Sequence, residues 1–99
     1  GPENNPRAPT MIAGQRVNPN ELLGKARLSV YEMTDLIAAM VSDLPTVKSV
    51  AVDGAGGEIS VSLVTGKRIG IAAIPVAHAM NESMNSRLQA LDDLFKRCA

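Results

Sequence analysis

The sequence predicts a two-layer α+β fold in the order α-β-β-β-α, an antiparallel three-stranded meander with two helices on one face. Two observations lead there. Apolar residues recur in alternating steps of three and four from Leu23 to Leu44, and a second helical stripe runs from Met80 to Cys98. Between them the period changes to two, with Gly-rich segments separating three short alternating runs. The strands lie in one block between the helices, which suits helices segregated to one face of an antiparallel sheet. No internal repeat is visible.

Residues 1–17 contain Pro2, Pro6, Pro9 and Gly14 without a sustained apolar period, a composition that does not repay the entropy of ordering. They are expected to be a flexible N-terminal arm or linker, with 18–99 forming a single α+β domain. Gly1-Pro2 is the pair left by a common tag-removing protease, so the chain reads as a domain of a longer protein.

Asn18-Pro19-Asn20-Glu21 is a helix start, with a capping side chain, proline at the first helical position and an acid completing the box. Ser29-Val30-Tyr31-Glu32 is a second capping box, flanked by Leu28 and Met33 as a hydrophobic staple. The unbroken apolar series Leu23, Ala26, Val30, Met33, Ile37, Met40 and Leu44 favours one long helix over two. Pro45 ends it, because its ring disfavours helical geometry at the preceding residue.

Val50 and Val52, then Ile59, Val61 and Leu63, then Ile69, Ile71 and Ala73 supply the buried faces of three strands. Residues opposed across an antiparallel pair share a face. A loop at 54–57 therefore sets Val52 against Ile59 and Val50 against Val61, and brings Asp53 opposite Glu58. In the second hairpin a two-residue turn would mix the faces. A three-residue loop with Gly66 in the left-handed region pairs Val61 with Ile69 and Ile59 with Ile71, and is the expected one. From Val76 onward a last helix places Met80, Met84, Leu88, Leu91, Phe95 and Cys98 on one stripe, with Lys96 and Arg97 complementing the dipole of its final turn. Ile71 and Leu88 are thus both expected in the core. The set Ala77, Asn81, Met84, Leu88, Leu91, Phe95 and Cys98 also follows a heptad, with Asn81 at a polar core position.

Composition narrows the function. The chain has 99 residues, ten basic and ten acidic, with two aromatics, Tyr31 and Phe95. Zero net charge provides no field for steering onto a polyanion, and the lack of tryptophan removes the usual stacking platforms. A domain this small has one core and little room for a deep cleft. A single cysteine allows no internal disulfide and no thiolate metal cluster, which fits a reducing, cytoplasmic location, and no apolar run is long enough to span a bilayer. His78 and Cys98 are too far apart along one helix to act as a nucleophile pair. His78 with Glu82 is a poor metal set, so neither metal nor cofactor is expected, nor is enzyme activity. The 54–57 glycine run joins two strands and lacks the helix that a phosphate loop requires.

The sheet face turned away from the helices carries Ser49, Ala51, Ser60, Ser62, Gly70 and Ala72, with charge only near the hairpin ends. A solvated face is ordinarily richer in long polar side chains, and small ones allow another backbone close approach. These six residues, or the strand edge beside them, are the expected interface of a non-catalytic protein-interaction domain whose partner is a second copy of itself, as a homodimer, or another protein. The alternative is an RNA-binding module using Lys67 and Arg68. The element order and the Gly66-Lys67-Arg68-Ile69-Gly70 hairpin are similar to double-stranded-RNA-binding domains. That family opens its last helix with a lysine cluster, whereas this chain has Pro75-Val76-Ala77-His78-Ala79-Met80. The segment Leu44-Pro45-Thr46-Val47-Lys48-Ser49-Val50 with Asp53-Gly54, and the hairpin leading into the last helix, resemble Roadblock-type dimerisation domains, whose central helix has no counterpart here.

Overall fold

The structure, a computed structural model, describes residues 10–12, 15–52 and 57–99. Chain order gives β1 (Thr10–Ile12), β2 (Gln15–Val17), α1 (Pro19–Leu23), α2 (Val30–Val41), β3 (Val47–Val52), β4 (Glu58–Leu63), β5 (Arg68–Ala72), α3 (Ala73–Glu82) and α4 (Met84–Cys98). β3, β4 and β5 form the antiparallel meander, and helices cover one of its faces.

The predicted sheet register holds. Val52 pairs with Ile59 and Val50 with Val61, then Val61 with Ile69 and Ile59 with Ile71. The β4–β5 loop is the odd one: Leu63 N–H donates to the Lys67 carbonyl at 2.8 Å, and Gly66 lies at φ 94°, where a side chain would be strained. Ile59, Val61, Leu63, Ile69 and Ile71 are all buried beneath the helices. Asp53, and with it the expected opposition to Glu58, falls outside the described residues, as do 54–56 of the loop.

Two expectations need correction. The first helical stretch is two helices, not one. Asn18 accepts from Asn20 N–H at 3.1 Å to start α1, which stops at Leu23, and Ser29 starts α2 afresh with a complete capping box. Capping at Ser29 demands extended backbone there (φ −69°, ψ 167°), which no continuous helix permits. α2 also ends at Val41, ahead of Pro45, with turn hydrogen bonds carrying the chain through Leu44 into β3.

The second helical stretch is likewise divided. α3 begins at Ala73, directly after β5, with Pro75 inside the first turn where its missing N–H costs nothing. Ser83 then takes up extended backbone, φ −164° and ψ 167°, and its hydroxyl accepts from Ser86 N–H at 3.0 Å. The stripe that α4 buries is not the one expected from its apolar residues. The buried residues of α4 are Arg87, Leu91, Leu94 and Cys98, while Met84 and Leu88 are 44% and 49% exposed. Leu88 is thus not a core residue.

Within the segment expected to be a flexible arm or linker, Thr10–Ile12 and Gln15–Val17 pair as an antiparallel hairpin lying against α2. Residues 1–9 and 13–14 are outside the described residues.

Candidate interaction surface

The six small residues predicted as an interface share the solvent side of the meander. Register sets Ser49, Ser62 and Arg68 in one cross-strand row, Ala51, Ser60 and Gly70 in the next, and Glu58 and Ala72 in a third. Ser49, Ala51, Gly70 and Ala72 are exposed, and Ser60 and Ser62 are half-buried. Alternation explains the arrangement, because each neighbour along a strand that points the other way is an apolar residue facing the helices.

Two charged residues on this face were not in the predicted set. The Arg68 guanidinium reaches across from β5 to the Ser60 hydroxyl on β4, 3.4 Å away. The Glu58 carboxyl group lies over the Gly70 backbone, 3.3 Å from where a β-carbon would stand. Their positions follow the same parity as the small residues, and this was the signal available in the sequence. Neither forms an ion pair among the described residues.

Both sheet edges carry deterrents to strand addition. β3 has a register irregularity between Val47 and Ser49, with the exposed Lys48 in it. On β5, Arg97 from the end of α4 donates to the Gly70 carbonyl at 3.1 Å. Edge lysines, bulges and a covered carbonyl all disfavour pairing with a further strand, which leaves the face more accessible than the edges.

Arg97 also joins Lys67, Arg68, Ile69 and Gly70 around a shallow depression of about 380 Å³. A larger groove, about 430 Å³, runs between the start of α2 and α3, lined by Arg27, Ser29, Val30, Ile74, His78 and Glu82 among others. His78 is exposed on its rim. Cys98 is fully buried, its carbonyl accepting from the Thr46 hydroxyl at 2.6 Å. Burial pushes its thiol above the ordinary cysteine value, with the Arg97 charge acting weakly the other way, so the thiolate a nucleophile needs is disfavoured. Among the described residues no three acidic, histidine or cysteine side chains are grouped to hold a metal ion. No helix among them is long and apolar enough to cross a membrane.

No protein-family model, curated protein or solved structure matches the chain.

Proposed function

We propose that this chain is a non-catalytic self-association domain of an intracellular protein, forming a homodimer through the small-residue face of its sheet. One observation carries the reading. Ser49, Ala51, Ser60, Ser62, Gly70 and Ala72 form a contiguous patch with no side chain larger than serine, on the uncovered side of a sheet whose other side is the core. Such a surface admits a second sheet at close range, and a two-fold axis makes one patch serve both partners. The single buried cysteine is in keeping with a cytoplasmic location.

Sedimentation across a range of concentrations tests this directly. The wild type should show a concentration-dependent mass, and Ser62→Arg with Ala72→Arg should abolish it while leaving the thermal transition in place. A double variant that remains dimeric and folded excludes the sheet face.

One observation favours a second reading, RNA binding: Arg97 adds a third cation to Lys67 and Arg68 around one depression. Salt-dependent retention on double-stranded RNA, weakened by Lys67→Ala with Arg97→Ala, would select it.

A further inference from the structure

We infer that the homodimer is held in register by two reciprocal ion pairs, Glu58 of each copy meeting Arg68 of the other across stacked sheets. This rests on the proposed self-association and specifies its geometry. Glu58 and Arg68 occupy opposite end rows of the face, with the Ala51, Ser60 and Gly70 row between them. Four residues of strand separate those end rows, roughly 13 Å at the usual rise.

Two sheets stacked face to face by a two-fold axis must have that axis in the contact plane. An axis running across the strands, over the central row, exchanges the two end rows. The Glu58 row of one copy then lies over the Arg68 row of the other, twice. An axis along the strands would instead set each row against itself, Glu58 near Glu58 and Arg68 near Arg68, at the cost of like-charge repulsion. Charge therefore selects one orientation.

Both side chains already lean toward the middle of the face, Arg68 onto Ser60 of β4 and Glu58 onto Gly70 of β5. Each thus reaches toward the strand that carries the other's partner position. Among the described residues of one copy neither makes an ion pair, which leaves both charges to meet a partner. The small residues between them keep the sheets near enough for long side chains to bridge.

Charge reversal tests the pairing. Glu58→Arg gives a face with two cations, and Arg68→Glu one with two anions. Each variant alone should self-associate at least about tenfold more weakly than wild type, as facing like charges require. Mixed in equal amounts they should form a heterodimer, because both contacts become complementary again, with affinity recovered to within about threefold. Glu21→Arg mixed with Lys96→Glu, the same charge changes away from the face, should behave as wild type, and amide-exchange protection should confirm that every variant is folded. Single variants that dimerise as tightly as wild type, or a mixture that fails to recover, overturn the ion pairs while leaving self-association standing. A wild type that stays monomeric throughout overturns both.

Discussion

Asn81 closes a two-bond ring with the backbone of Leu28: its Oδ1 accepts from Leu28 N–H at 2.8 Å and its Nδ2 donates to the Leu28 carbonyl at 2.7 Å. The side chain therefore mimics a strand partner for a single residue in the α1–α2 connection, 53 positions away in sequence. This is its role in the fold, in place of the polar heptad position that spacing suggested. Replacing Asn81 with Ala strands both groups in a partly buried setting, so a loss of about 1–3 kcal/mol is expected in denaturant unfolding. Asn81→Asp keeps the acceptor but loses the donor, and should fall between alanine and wild type.

Arg87 is the second polar anchor and is only 2% exposed. Its Nε donates to the Met80 carbonyl at 2.9 Å, its Nη1 to the carbonyls of Leu23 (3.0 Å) and Lys25, and its Nη2 reaches Asn81 Oδ1 at 3.4 Å. Leu23 ends α1 and Met80 lies in the last turn of α3, so one guanidinium serves the negative ends of two helices. Arg87→Met should destabilise by about 3–5 kcal/mol, since it leaves several carbonyls unpaired together. Arg87→Lys should recover little of that, because an ammonium lacks the planar fork that spans these acceptors. Equilibrium urea unfolding of the three proteins gives the ranking.

Leu88 and Leu91 separate the apolar stripe expected of the last helix from the one the fold buries. Leu91 is 3% exposed and Leu88 49%. Leu91→Ala should cost about 2–5 kcal/mol and Leu88→Ala less than about 1. Equal losses would place both on the core side, as the expected apolar stripe requires.

What was legible in the sequence is what parity controls. A period of two assigns a face to every residue in a strand, so the meander register, the loop at Gly66 and the placement of the six small residues followed together. Helix breaks were less legible, because the apolar steps of three and four run through both of them by coincidence, and only the capping residues Ser29 and Ser83 reveal a restart. Ser29 has Glu32 to complete its box, whereas Ser83 has Ser86, a weaker cue. The β1–β2 hairpin left an indirect trace in Leu36-Ile37-Ala38-Ala39-Met40-Val41, six consecutive apolar residues. All are buried, so this half of α2 is covered all round by the sheet, the later helices and the hairpin. A single-faced helix would have carried polar residues among them.

The first turn of α2 predicts a pH dependence. Glu32 accepts from Lys25 Nζ and from Ser29 N–H, which together hold its carboxyl below the usual range. A depressed acid contributes stability above its unfolded pKa and loses it as pH falls through the folded value, so this contribution is present at neutral pH and disappears in moderately acidic solution. Asp35, one turn on, is shifted the other way, by burial and then by the Glu32 charge. Its ionised form is disfavoured in the fold, so it opposes stability at neutral pH and ceases to do so once protonated. Thermal melts against pH should show Glu32→Gln losing stability chiefly above the acid range, and Asp35→Asn gaining there. The opposite order would mean that the Lys25 contact does not form in solution.

Two glycines of the second hairpin are constrained for different reasons, and alanine distinguishes them. Gly66 has open space around the position of a β-carbon, yet its φ of 94° is one that side chains disfavour. Gly66→Ala should therefore cost about 1–2 kcal/mol through backbone strain, whatever is done to its neighbours. At Gly70 the nearest atoms to an added β-carbon are the carboxyl carbon and oxygens of Glu58, at 3.3–3.4 Å. They end a flexible side chain, so Gly70→Ala displaces Glu58 at little energetic cost. A double-mutant cycle with Glu58→Ala separates the cases: the Gly66 penalty should be additive, and the small Gly70 penalty should vanish once Glu58 is gone. If the Gly70 cost persists in the Glu58→Ala background, the crowding comes from the strand backbone, and Glu58 is not the group that covers this part of the face.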